Sequence, residues 1–268
     1  MIRALGLALC GVAAAVTTAR ARCLESATAA FREPGPYGVG VRDMTLVDQS
    51  RPTPAHGSRA EQPSRTLVTR VWYPSAGPGS VTPVTDAPLV AGKRFPLVVY
   101  AHGFGDTPAF AEYLAAPLAS RGYVVAGPTF PLTSLGNLFT AEGPYPADIV
   151  NQPADVSFVL DRLLAADAPA DWLAGAIDAR KIGLSGLSYG GLTTLLVTYH
   201  PTMRDRRIRA ALTLAPAACA LTRPFYRRGR TPLLVMQGDQ DGIVRCFLRA
   251  GLARENRADV RVSRLGPR

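Results

Sequence analysis

Lys181-Ile182-Gly183-Leu184-Ser185-Gly186-Leu187-Ser188-Tyr189-Gly190-Gly191 is the stretch whose reading decides the fold. It reads as a short buried strand, a very tight turn carrying Ser188, and a helix over residues 192–199. Gly186-Leu187-Ser188-Tyr189-Gly190 fits the pattern G-x-S-x-G, in which a serine stands on a strained strand-to-helix turn so that its hydroxyl clears the backbone. Gly186 and Gly190 are glycines in this reading because strand and helix pass too close for a β-carbon. The pentapeptide alone is weak, since glycine and serine are common. The apolar strand before it and the helical pattern after it give it weight.

Strands and helices alternate on either side of this turn. Residues 39–47 and 66–73 read as strands, 48–64 and 74–94 as surface connections, and 95–101 (FPLVVYA) as a strand covered on both faces. A helix is expected from Thr107-Pro108 to Ser120, kinked or shortened by Pro117, with Gly122 ending it. Residues 123–127 follow as a strand, 130–146 as a loop and 154–165 as a helix with Val156, Val159, Leu160 and Leu163 on one face. Further strands are expected at 208–214, 233–237 and 260–265, with a helix at 245–255. Such alternation implies a mostly parallel sheet with helices on both faces, in the α/β class. The connection between Leu214 and Leu233 is too short for a large lid domain.

Composition bounds the rest. At 268 residues and 47% hydrophobic content the chain fits one α/β domain with an ample core. The formal charge of +10 comes almost wholly from arginines that look scattered, with small clusters at 204–209 and 227–230. No motif interleaving aromatics with basic residues appears, so no nucleic-acid partner is expected and the basic surface reads as solvated. Residues 1–30 read as a signal peptide: a positive start, an apolar run over 4–16 too short to span a bilayer, and A-x-A sites ending at Ala21 and Ala29. That leaves one domain over residues 31–268, a monomer in a secreted or cell-envelope location. Cys219 and Cys246 each follow a strand at the same sheet edge and are candidates for a disulfide.

A serine hydroxyl needs a base, an acid that orients the base, and donors for the oxyanion. The backbone N–H of Tyr189 should be one donor. The N–H of Phe104, in the loop His102-Gly103-Phe104-Gly105 off the neighbouring strand, should be the other. The acid should lie beyond a later strand at the carboxyl edge of the sheet. Gly238-Asp239-Gln240-Asp241-Gly242 offers two aspartates. Asp241 is preferred, with Asp239 stabilising the turn.

His102-Gly-Phe-Gly, Gly186-Leu-Ser188-Tyr-Gly-Gly and Gly238-Asp-Gln-Asp241, in this order, resemble the α/β-hydrolase superfamily. Arg70-Val-Trp-Tyr-Pro74 followed by Phe95-Pro-Leu-Val-Val-Tyr-Ala-His-Gly-Phe-Gly narrows the likeness. It is similar to bacterial secreted esterases related to platelet-activating-factor acetylhydrolase and to the dienelactone-hydrolase and polyester-hydrolase group. The resemblance implies a cofactor-free, metal-free carboxylic-ester hydrolase acting on small or polymer esters through an acyl-Ser188 intermediate. Dienelactone hydrolases use a cysteine nucleophile, and Ser188 stands at that place here.

The family places its catalytic histidine after the last strand, whereas Leu265 is followed only by Gly266-Pro267-Arg268. Of the three histidines present, His200 lies along the helix that follows Ser188. His102 opens the oxyanion loop in a structural role, and His56 sits in a surface loop. The expectation is a hydrolase domain truncated before its histidine-bearing turn and helix, and inactive as it stands. The alternative is a hydrolase-like binding protein that lacks the histidine.

Overall fold

The computed structural model describes residues 33–168, 171–173, 175–227, 229–238 and 240–244, and the backbone of Val260–Leu265. The expected signal peptide, the helix at 245–255, Asp239 and Cys246 lie outside the described residues.

Two long strands open the described chain, β1 (Gly38–Asp48) and β2 (Arg65–Ser75), paired antiparallel with Val41 opposite Trp72. A short strand, β3 (Pro83–Thr85), lies parallel to β1 at the sheet edge, inside the segment expected to be plain surface connection. Its three residues carry no pattern of their own; pairing with Val39–Val41 makes them a strand. Then come β4 (Phe95–Ala101), a 3₁₀ turn (Pro108–Ala111) and α1 (Glu112–Ser120). Pro117 neither ends nor shortens α1, contrary to expectation. The carbonyl it deprives of a donor belongs to Tyr113, a residue on the exposed side of the helix. The other elements follow as β5 (Val124–Pro128), α2 (Gln152–Ala165), β6 (Ile177–Leu187), α3 (Tyr189–Tyr199), β7 (Ile208–Leu214), α4 (Arg223–Tyr226), β8 (Leu233–Gly238) and β9 (Val260–Leu265).

These strands form one nine-stranded sheet, ordered β3-β1-β2-β5-β4-β6-β7-β8-β9, parallel from β5 to β9. The handedness of parallel crossovers decides what covers each face. The step from β4 to β5 runs one way along the sheet, and those from β5 to β6, β6 to β7 and β7 to β8 run the other way. Right-handed connections therefore put α1 on one face and α2, α3 and α4 on the opposite one. The core divides accordingly. Val156, Val159, Leu160 and Leu163 of α2 pack on Leu97, Val99, Ile182 and Leu184, whereas Ala111, Ala115 and Ala119 pack on Trp72, Tyr100 and Val125. Among the described residues α1 is the only helix of eight or more residues on its face. Beside it runs an apolar groove of about 250 Å³, lined by Leu114, Leu118, Val98, Gly183, Ser185 and Leu212. The Ser185 hydroxyl is buried and has no hydrogen-bond partner among the described residues.

Candidate functional site

The turn between β6 and α3 is built on two close approaches. A β-carbon at Gly186 would lie 2.2 Å from the Gly190 carbonyl oxygen, and one at Gly190 would lie 2.0 Å from that of Ala101. Both contacts are with backbone, so neither yields by a side-chain rotation. Ser188, between them, has φ 51° and ψ −110°, a conformation that residues with a β-carbon rarely adopt. Its N–H donates to Leu214 O (2.8 Å), and its carbonyl accepts from Leu192 (3.1 Å) and Ala217 (2.9 Å). The strain is thus held by β7, the loop after it and the helix it starts. Gly190→Ala should cost about 3 kcal/mol or more, read as a lower urea midpoint with an unchanged m-value.

Two backbone N–H groups near this serine have no acceptor among the described residues. Tyr189 is the first residue of α3, so its N–H has no acceptor within the helix. Phe104 belongs to the loop off β4, and among the described residues nothing accepts from its N–H. The Phe104 and Tyr189 rings meet edge-on, centroids 5.4 Å apart, so the two residues expected to supply the oxyanion donors are neighbours in space. Asp106 turns the loop by accepting from the N–H groups of Gly103 (3.3 Å) and Thr107 (2.6 Å). Gly105 N–H donates to Thr133 O (2.8 Å), tying the loop to the segment after β5.

His102 is a clamp and not a base. Its Nε2 accepts from the Phe130 N–H at 3.0 Å, so the ring proton must sit on Nδ1, which donates to Gly103 O at 2.7 Å. Both nitrogens are occupied, and burial holds the imidazole below its usual pKa of 6.5, with the Gly103 carbonyl and Asp106 acting weakly against that. The unfolded chain therefore takes up a proton here before the native state does. Stability should fall as pH drops below about 6.5, by up to about 1.4 kcal/mol per pH unit. A His102→Gln variant should lose that part of the slope in denaturation midpoints measured between pH 7 and 5. The other histidines stand elsewhere. His56 is pinned by Glu142 O (3.0 Å) and stacked on Tyr145, so it organises its surface loop. His200 caps the far end of α3, with Thr202 at its Nδ1.

Asp241 lies just past β8. Its Oδ1 accepts from the N–H groups of Ile243 (2.9 Å) and Val244 (2.8 Å), and its Oδ2 accepts from Gln237 Nε2 (2.8 Å). Gln237 also donates to Val244 O (3.1 Å), so one buried amide fixes both the carboxylate and its loop. Ser188 N–H bonds the end of β7, and Ala215 N–H bonds Met236 O in β8 (2.8 Å). Ser188 and Asp241 therefore follow strands separated by two sheet spacings, roughly 10 Å.

A buried ionic cluster that the sequence did not reveal supports this edge. Arg65, at the start of β2, is fully buried and grips Asp155 of α2 with Nε and Nη2 (both 2.7 Å). It also binds Asp148 through Nη1 (3.1 Å) and Nη2 (2.6 Å). Arg51 adds a second guanidinium on Asp155 (2.8 Å) and reaches Asp48 (2.7 Å). Burial pushes the Asp155 carboxyl up, and Arg65 and Arg51 oppose that. Asp148 belongs to the 3₁₀ turn Pro146–Val150, and the Pro146 carbonyl accepts from the Tyr189 hydroxyl. Gln152 bridges Thr133 (2.8 Å) to Thr193 of α3. The cluster thus braces the loops beside Ser188 against the helix that starts there.

Cys219 is disulfide-bonded, and its partner lies outside the described residues. Among the described residues no cluster of three or more His, Cys, Asp and Glu side chains is arranged to hold a metal ion, and no helix is long and apolar enough to cross a membrane.

Three likenesses bear on this arrangement. Residues 62–130 match the family model of platelet-activating factor acetylhydrolase, isoform II, a segment that holds β2, β4, the His102–Phe104 loop and α1. The platelet-activating factor acetylhydrolase of Canis lupus familiaris is 24% identical over 201 residues, covering 60% of this chain. The match spans 44% of that relative's length. The solved ferulic acid esterase from Streptomyces cinnamoneus superposes with a TM-score of 0.58 at 25% identity, over 86% of this chain and 73% of that one. Sheet order, serine turn and these likenesses agree on an α/β-hydrolase fold, similar to that of the esterases just named.

Proposed function

We propose that this domain is the scaffold of a serine esterase that cleaves carboxylic esters through an acyl-Ser188 intermediate. The observation that carries the reading is the strained Ser188, with two unclaimed backbone donors beside it and a fixed carboxylate two strands away. The Ser188 hydroxyl attacks the ester carbonyl and gives its proton to a base. The oxyanion takes hydrogen bonds from Phe104 and Tyr189, each worth about 3 kcal/mol in the transition state. The alcohol leaves with the proton from the base. Water then enters by the same route in reverse, freeing the acid. Asp241 orients the base and stabilises it when protonated.

The base this mechanism needs is an imidazole between Ser188 and Asp241, a place that none of His56, His102 and His200 fills. This rests on the gap between Ser188 and Asp241, which suits an imidazole, and on the occupied nitrogens of His102. The apolar surroundings of Ser188, namely Phe104, the Tyr189 ring and Leu138 against Gly105, suit a compact acyl group or an ester exposed on a polymer. The disulfide at Cys219 fits an extracytoplasmic location.

The test is to compare ester turnover of residues 1–268 with that of the complete reading frame. The shorter chain should retain only the acceleration that an oxyanion hole and binding provide, about 10³–10⁴-fold over water. The longer one should turn over fully and lose this on replacing its added histidine by alanine. Full activity of the shorter chain would refute the need for an added imidazole. An inert, folded complete chain would leave the hydrolase-like binding protein.

A further inference from the structure

The ten formal excess positive charges of this chain are not evenly spread: eight arginines and a single acid fall between residues 204 and 230. Along the sequence they form two clusters separated by β7. Folding joins them. The loop before β7 and the loop before β8 enclose a cavity of about 510 Å³ lined by Arg204, Arg206, Arg209 and Arg230. Asp205 is the only acid among the described residues of its wall, and its charge is already taken. Burial works against its ionisation, but hydrogen bonds from Arg207 (Nε 3.0 Å, Nη2 2.6 Å) and Ser157 (2.9 Å) win and hold it below the usual carboxylate range. Arg206, Arg209 and Arg230 are exposed and make no ion pair or hydrogen bond among the described residues. The wall is also rigid. Tyr199 donates to Thr231 O, and Gly229 lies so close to the Tyr199 ring that a β-carbon there would sit 2.5 Å from it.

The guanidinium groups of Arg206, Arg209 and Arg230, gathered around one concavity with no carboxylate among the described residues left to pair with them, repel one another unless an anion enters. Arginine forks match phosphate and sulfate oxygens pairwise. We infer that this cavity is a binding site for a phosphoryl- or sulfate-bearing anion. It goes beyond ester hydrolysis and is independent of it. The cavity sits at the amino ends of β7 and β8, whereas Ser188 follows the carboxyl end of β6. A seven-residue strand separates the two by roughly 20 Å. An occupant here leaves the serine edge free, and a headgroup bound here would turn that edge away from the surface carrying it.

The test is calorimetric titration of the whole chain with inorganic pyrophosphate, beside sedimentation with phosphatidylglycerol and phosphatidylcholine vesicles. Binding of pyrophosphate is expected to weaken with salt. It should fall by about tenfold or more in Arg209→Glu/Arg230→Glu, each residue contributing charge-assisted hydrogen bonds. Arg42→Glu/Arg70→Glu, which changes net charge equally on β1 and β2, at least four strands from β7, should bind as the parent does. Sedimentation with phosphatidylglycerol alone, displaced by pyrophosphate, would identify a lipid headgroup as the source. Pyrophosphate binding without sedimentation would identify a free anion. No heat with pyrophosphate, or equal losses in both double variants, would overturn the site.

Discussion

Replacing Ser188 by alanine should lower ester turnover of the complete enzyme by about 10⁴-fold or more, with substrate binding little changed. The alanine keeps the β-carbon and hence the turn, so the loss should appear in kcat. A Ser188→Gly companion separates chemistry from strain. The φ of 51° and ψ of −110° at this residue disfavour any side chain, and glycine tolerates them. Ser188→Gly should be as inactive as the alanine variant yet more stable, by about 1 kcal/mol. Both readouts, kcat for p-nitrophenyl acetate and the urea midpoint, come from the same two proteins. Turnover retained in Ser188→Ala would remove the acyl-serine route.

The second large effect concerns stability. Arg65→Met should destabilise the fold by about 3–5 kcal/mol, because it leaves Asp148 and Asp155 buried without their main counter-charge. In the variant burial raises the Asp155 carboxyl with less opposition, so it is easier to protonate in the native state than in the unfolded chain. Its contribution then recovers as pH falls, so the deficit should shrink between pH 7 and 5. That sign distinguishes lost charge compensation from lost packing, which has no such pH dependence. Because Asp148 holds the turn whose Pro146 carbonyl takes the Tyr189 hydroxyl, a surviving Arg65→Met protein should also turn over esters more slowly. A flat pH dependence of the deficit would contradict the electrostatic account.

The serine turn and the parallel strands were legible because their signals are local. Gly186 and Gly190 bracket Ser188 within five residues, and the apolar runs at 95–101 and 208–214 match β4 and β7 end to end. What stayed hidden depends on residues far apart. Arg65 reads as a polar start to a strand, and its partners lie 83 and 90 residues away. β3 exists through its pairing with β1. The arginine clusters at 204–209 and 227–230 look scattered in sequence and share one cavity in space. Gln237 looks like an ordinary strand residue until its amide is seen to hold Asp241. His102 is the mixed case, since its structural role was expected but the tautomer that enforces it comes from the Phe130 N–H, 28 residues on.

The central claim, that Ser188 is an activated nucleophile, is tested most directly by a fluorophosphonate applied to the complete enzyme, followed by peptide mass mapping. The account predicts one adduct, on Ser188, within the tryptic fragment spanning residues 182–204, formed in step with loss of esterase activity. An enzyme that hydrolyses esters while remaining unlabelled, or labelled at a different serine, would contradict it.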